Sequence, residues 1–430
     1  MYFKRDYSQP LFGPKRPQRH YGRLFFVTGL LIGGLLLFVS LNFAALQERA
    51  LEVAGMGPTP TPLPADLATT GIQMAASGDL QGAVDLFERA LEQRPNDINY
   101  LIEYGNVLLL QANYDAALEV AEEALIAAPS DPRGYELKAR TQVQSGNPTS
   151  AISVALAGLD LGQGFDGPLY AILSRAYTES GNYADGVDAG LRAIEVAPDS
   201  VEARLAYANA LNFFDLRDEA LAQIEIAFNL NPNNIQAIFD LAFQYLARDR
   251  DQEAIDLYDR ILALQPRNPR ANLWLCRSYK KIGEFDRALG YCRDSVALDD
   301  SSPAAFYELG TLYYRNYDFA NALDAFRSCA RLNPDSLECA YRTGLSYYYV
   351  AASMLTDAET RDSYCDQAWS ILQDSLLMAQ GRFDVDDAVD NIRAGLVAVG
   401  QDCPNYVGRV VSVPAAEAEA TPEATPESGG

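Results

Sequence analysis

The sequence predicts an all-α protein: an α-solenoid of stacked helix–turn–helix pairs, preceded by one apolar helix long enough to cross a membrane. Three observations carry that prediction. Small residues recur every 34 residues, with one step of 35, at Gly71, Gly105, Ala139, Ser174, Ala208, Ala242, Cys276, Gly310 and Gly344. A second small column keeps the same period from Ala83 and Ala117 to Ala288 and Ala322. Proline closes most units, at Pro95, Pro129, Pro198, Pro232, Pro266 and Pro334, with Gln163 and Asp300 as exceptions. A helix pair of this size cannot bury its own apolar face, so copies of it must stack.

Taken in chain order, residues 1–23 form a basic segment that should remain in the cytoplasm. Residues 24–46, LFFVTGLLIGGLLLFVSLNFAAL, contain no charged side chain. At about 1.5 Å per residue, a helix of this length spans a hydrocarbon core of about 30 Å. It exceeds the apolar stretch of about 7–15 residues in a cleaved signal, so a retained anchor in the lipid bilayer is expected. Lys4, Arg5, Lys15, Arg16, Arg19 and Arg23 precede the span, and only Arg49 follows closely. That asymmetry keeps the amino terminus in the cytoplasm and places the repeats outside it, as a single-pass protein of the cell membrane. Gly29 and Gly33 have the spacing that lets two anchors pack closely, a weak route to a homodimer.

Residues 47–65 include PTPTPLP, which proline holds extended as a semi-rigid spacer. Residues 66–336 hold eight repeats. Antiparallel helices approach closely only where facing side chains are small, which the two small columns supply. A bulky column, from Met74 and Leu108 to Tyr313 and Tyr347, fills the space beside that contact. Proline cannot continue a helix and fixes each unit's length. Gly78, Gly146, Gly181 and Gly283 mark the turns, as helix-ending glycine should. The third unit fits least well, with Lys138 and Gln142 at apolar positions. GQGFDG at 162–167 follows it with the one-residue insertion, which leaves room for a kink or a loosened joint.

Residues 337–403 read as a degenerate ninth repeat and a capping helix. TDAETRDSY interrupts the pattern before a helix near 365–380. A last helix around 385–399 carries Val385, Val389, Ile392, Leu396 and Val399 on one stripe. A stack needs such an end unit to close its exposed face. The end of the chain, AAEAEATPEATPESGG, is acidic, small and proline-punctuated, and too poor in apolar surface to order itself, so a disordered tail is expected over residues 404–430.

The alternation of large, small, aromatic, small and proline positions across 66–336 resembles the tetratricopeptide repeat family. The resemblance implies a right-handed superhelix whose first helices line a concave groove, with partner binding rather than chemistry as the working activity. Helical spacing then directs Asn106, Arg140, Arg175 and Asn209 into the first half of the groove. Phe239, Phe243, Arg277, Lys280, Lys281, Tyr307, Tyr314, Arg315, Tyr341 and Tyr348 follow in the second half. Basic groups beside aromatic rings suit a protein partner or extended peptide with acidic and apolar residues. The plainer reading makes Glu136 with Arg140, and Arg175 with Glu179, ordinary surface pairs, and packs Tyr347 to Tyr349 under the cap. The family's carboxylate-clamp subgroup uses lysine with asparagine. Ile102 with Asn106, and Leu205 with Asn209, lack the lysine, so a chaperone's terminal carboxylate is not an expected ligand.

Six cysteines fall late in the chain, at Cys276, Cys292, Cys329, Cys339, Cys365 and Cys403. Outside the cytoplasm an even count permits full pairing, with 15 connectivities open to six cysteines. Proximity and antiparallel stacking favour Cys276–Cys292, Cys329–Cys339 and Cys365–Cys403. The alternative is six reduced thiols standing in for alanine.

Charge and composition narrow the function. The formal charge is -24, and past residue 49 there are 27 basic residues against 56 acidic ones. Such a body repels nucleic acid. The lone histidine, His20, lies in the basic segment, so no histidine-based triad or metal site is expected in the repeats. No phosphate-cradling loop, nucleophile elbow or metal cluster is written, and no cofactor is expected. The expected function is a non-enzymatic, membrane-anchored scaffold assembling envelope proteins. Two alternatives stay open: a cytoplasm-facing co-chaperone or regulator, and an accessory subunit of an envelope enzyme such as a glycosyltransferase.

Overall fold

The computed structural model describes residues 39–40, 42, 62–353, 357–382 and 385–408. Among the described residues there are nineteen α-helices longer than two residues and no strand. The span expected at 24–46 lies outside the described residues apart from Val39, Ser40 and Asn42, as do the basic segment 1–23 and most of the spacer. Among the described residues no helix is long and apolar enough to cross a membrane.

The chain forms two compact units, Met1–Pro95 and Asn96–Gly430. In the first, α1 (Pro64–Ser77) and α2 (Leu80–Gln93) make one hairpin. Pro64 sits in the first turn of α1, where its missing N–H costs nothing. Gly78 ends the helix at φ 90°. Asp79 then caps α2 by accepting from the Gly82 N–H at 3.0 Å. Gly71 lies against the buried Phe87 ring, and a Cβ there would come within 2.9 Å of it.

The second unit repeats that hairpin: α3 (Ile98–Leu110) with α4 (Tyr114–Ala127), α5 (Pro132–Gln144) with α6 (Pro148–Leu159), and α7 (Asp166–Glu179) with α8 (Tyr183–Val196). It continues with α9 (Val201–Phe213) and α10 (Arg217–Leu230), α11 (Ile235–Leu246) and α12 (Asp251–Leu264), then α13 (Pro269–Lys281) and α14 (Phe285–Leu298). The eighth hairpin of the chain is α15 (Pro303–Arg315) with α16 (Phe319–Leu332). Packing is concentrated between successive helices and between neighbouring first helices, such as α3 on α5 and α7 on α9. Within this unit that is the contact pattern of a solenoid.

The small columns are the hairpin seams. Ala117, Ala151, Ala220, Ala254, Ala288 and Ala322 are all fully buried. At several seams the residue sixteen positions after the small residue of the first helix is its facing partner on the second, as Gly71 and Phe87 are in the first hairpin. Gly310 faces Phe326, whose ring a Cβ would approach to 2.8 Å. Ser174 faces Gly190 in the same way. Cys276 and Cys292 occupy this pair of positions in α13 and α14 and meet there as a disulfide, with Cα atoms 5.2 Å apart.

The turns recur in register as well. Gly146, Gly181 and Gly283 take positive φ, and Ala112, Asp215, Asp249 and Tyr317 adopt the same left-handed conformation where no glycine is present. The insertion at 162–167 carries Gly162 and Gly164 at positive φ. The joint that had room to loosen there is closed: α6 packs on α7, and Gly158 fits beneath Tyr135 and Leu169. A glycine in the seam removes the side chain that would have propped it open.

Helices α17 (Leu337–Ser353), α18 (Ala358–Met378) and α19 (Asp386–Asp402) end the unit. Asp357 caps α18 through the Thr360 N–H at 2.8 Å, so this helix begins earlier than the expected 365. Ile392, Leu396 and Val399 of the α19 stripe are fully buried with Leu372, while Val385 and Val389 are partly buried. Order continues beyond the expected boundary at 403. Tyr406, in a 3₁₀ turn at Pro404–Tyr406, stacks on Trp369 at 4.8 Å and donates its hydroxyl to Asp366 at 2.7 Å. Cys329 with Cys339, and Cys365 with Cys403, are disulfide-bonded, so no cysteine is free.

Candidate peptide-binding groove

The first helices α3 to α15 present the residues one position after each small column, and these side chains have very different surroundings. Arg140 closes on Glu136 at 2.5 Å, and that carboxylate is 5% exposed. Burial raises the Glu136 pKa, against the pull of Arg140, so the pair is an internal strut rather than a surface one. Asn106, on the preceding first helix, keeps its Oδ1 buried and without a protein partner.

Further along, most of the expected groove cations are occupied. Arg277 Nε donates to Glu308 Oε1 at 2.9 Å, and Lys280 closes on the other oxygen of the same carboxylate. Lys281 pairs with Asp249 at 2.9 Å and Asp251 at 2.8 Å. Arg315 lies 3.6 Å from the Phe285 ring centroid. These groups hold one hairpin to the next, so the cations that the sequence directs into the groove are engaged within the protein. Three of the expected aromatics also belong to the core. Phe239, Tyr341 and Tyr348 are buried, Phe239 against Tyr258 and Tyr348 through its hydroxyl on Asp402. Tyr314 is held between Phe319 and Tyr349, at 5.4 and 5.5 Å. Tyr307 remains half-buried beside Arg277.

What stays open lies on α7, α9 and α11. Two adjoining depressions there, of about 310 and 800 Å³, share Asn209, Asn212, Phe243 and Gln244. Arg175 and Glu179 line the smaller from α7, and Gln236 and Asp240 from α11. Among the described residues, nothing lies within hydrogen-bond or ion-pair distance of the Arg175 guanidinium. Phe243 is 53% exposed and is held edge-on to Trp274 at 5.9 Å. Burial raises the pKa values of Asp240 and Glu179. Asp240 also accepts from Gln236 at 2.7 Å. Of the sequence-predicted residues, the structure therefore brings Arg175, Asn209 and Phe243 together in one cleft.

Sequence reasoning missed Asn212, Asp240 and Gln244. Asn212 lies one turn beyond the small residue Ala208, so extending the face by that turn finds it. Asp240 and Gln244 sit two residues before and after Ala242, at the flank of the face, and no spacing rule marks them. Among the described residues, no cluster of side chains could hold a metal ion.

Two family models, both described as tetratricopeptide repeat, match the chain: one at 74–141 and 245–309, the other at 304–336. The chain is similar in fold to the APC/C hetero-tetramer Cut9–Hcn1, with a TM-score of 0.55 and 14% identity over 73% of this chain and 59% of that one. It thus spans less than two thirds of that protein's length. Yeast Tom70 gives a TM-score of 0.45 at 13% identity over 84% and 93% of the two chains. PilF of Pseudomonas aeruginosa gives 0.46 at 18% over 54% and 99%. No curated protein matches the sequence. The matched segments resemble tetratricopeptide repeats and together cover less than half of the chain.

Proposed function

We propose that this tetratricopeptide-repeat array is a non-enzymatic scaffold that binds an extended segment of a partner protein across α7, α9 and α11. One observation carries the reading. The cleft joins the Arg175 guanidinium, which has no hydrogen-bond or ion-pair contact among the described residues, the uncommitted amide nitrogen of Asn212 and the exposed Phe243 ring on three first helices, while the other groove cations are held by neighbouring groups of the protein. Such a surface offers an apolar anchor with polar groups around it, the usual anatomy of a binding hot spot. The scaffold is tethered to the bilayer through residues 24–46, with the repeats outside the cytoplasm among envelope proteins. What supports that placement is the excess of Lys and Arg before the span and the pairing of all six cysteines.

The test is photocrosslinking from the full chain in cells. Benzoylphenylalanine at position 243 should yield a discrete protein adduct, and the same probe at Ile126, which is 80% exposed on α4, should not. Identical products from the two positions, or none from 243, would reject the groove. Digestion of the repeats by protease added to spheroplasts tests the placement, and protection there would favour the cytoplasm-facing alternative.

A further inference from the structure

The cleft contains a directional hydrogen-bond chain that no spacing rule foretold. Asp218 on α10 accepts from Arg248 Nη2 at 3.1 Å, and the backbone carbonyl of Arg217 accepts from the same nitrogen at 2.9 Å. Arg248 Nη1 donates to Gln244 Oε1 at 2.6 Å. Gln244 Nε2 then donates to Asn212 Oδ1 at 3.0 Å, crossing from α11 to α9.

The chain has one possible polarity. Arginine carries donors and no acceptor, so the Gln244 atom facing it must be the carbonyl oxygen. That fixes the Gln244 nitrogen towards Asn212, and the Asn212 atom facing it must in turn be the oxygen. The Asn212 Nδ2–H₂ group is left over. Among the described residues nothing accepts from it, and Asn212 lines both depressions. Gln244 is 5% exposed and has no room to be re-aimed by solvent.

We infer that Gln244 and Arg248 are positioning residues that hold Asn212 as a hydrogen-bond donor towards the groove. The segment bound there is engaged through its main-chain carbonyl oxygens, with an apolar side chain laid on Phe243. This rests on the cleft being the binding site and adds its chemistry. The local charge supports a main-chain ligand over a charged terminus. Arg175, Arg217 and Arg248 are balanced around the two depressions by Glu179, Asp218 and Asp240. Neither sign is in excess, so carbonyl groups and an apolar anchor match the site, whereas a free carboxylate or amine gains no net attraction.

The test uses acetylated, amidated, uncharged twelve-residue peptides that differ only in a central Phe, Leu or Ala, titrated against the full chain. The Phe and Leu peptides should saturate the protein and the Ala peptide should bind more weakly. Gln244→Glu retains the bond from Arg248 but accepts on both sides, so Asn212 must turn over and show its oxygen to the groove. Its melting temperature should match that of the parent, while peptide affinity falls by at least about tenfold. Asn212→Asp should fall similarly, through a group that does not support the fold. Unchanged affinity in both variants overturns the positioning role and leaves the groove intact. Failure of every peptide to bind, with crosslinking at position 243 still specific, overturns the main-chain ligand but not the groove. If Gln244→Glu alone loses stability, Asn212→Asp decides.

Discussion

Arg277 Nε and Glu308 Oε1 lie 2.9 Å apart, tying α13 to α15 through a carboxylate whose side chain is 8% exposed. Lys280 reaches the same carboxylate from the next turn. Glu308→Ala should leave two crowded, half-buried cations without a partner and lower unfolding stability by roughly 2 kcal/mol, less than for a fully buried pair because water still reaches both. Urea denaturation checks it. A shift of the midpoint within error would show that the three charges are only a solvated cluster.

Asp240 supplies a pH signature. Burial raises its pKa above the ordinary 3.8, opposed by Gln236, Arg270 and Arg175. The folded state therefore holds this proton more tightly than the unfolded chain does. Its contribution to stability is complete below pH 3.8 and is lost as the pH rises through the folded value. Asp240→Asn should accordingly gain stability relative to the parent between pH 3.5 and pH 7. Parallel denaturation curves at the two pH values measure the difference, and a constant offset would refute it.

The turn positions predict opposite effects from opposite substitutions. Ala112 has φ 56° and Gly146 has φ 80° at equivalent places in successive units. Ala112→Gly should stabilise by up to about 1 kcal/mol, because only glycine enters that region without a Cβ clash. Gly146→Ala should destabilise by about 1 kcal/mol or more. Thermal melts of the pair settle the sign.

The cap depends on its crosslink. Cys365 and Cys403 close a loop of 38 residues, for which chain entropy gives about 3–4 kcal/mol. The double serine variant should lose amide protection in α18 and α19 while α7 and α9 keep theirs, as hydrogen exchange would show. Uniform loss along the whole unit would mean that the cap does not unfold separately.

The helix pairs were legible in the sequence because the seam is a packing constraint that each unit repeats. Gly310 beneath Phe326, and Cys276 bonded to Cys292, solve the same geometric problem at the same sixteen-residue spacing. The groove was legible only in part. Phe239 and Phe243 lie one turn apart on α11, yet the first fills the core against Tyr258 and the second faces solvent. Helical period assigns a face, but whether a neighbouring helix covers it depends on packing angles that no single unit encodes. Likewise, Arg175 and Arg277 hold equivalent positions, and what distinguishes them is Glu308, which lies 31 residues beyond Arg277.

All three disulfides lie at or beyond Cys276, in a unit where packing is concentrated between neighbouring helices. Under tension from its two ends, such a unit should yield unevenly. The hairpins before α13 can peel away singly, each 34-residue period releasing about 110 Å of slack at full extension. The distal end, its loops shortened by covalent links, would still be folded after the near end had paid out.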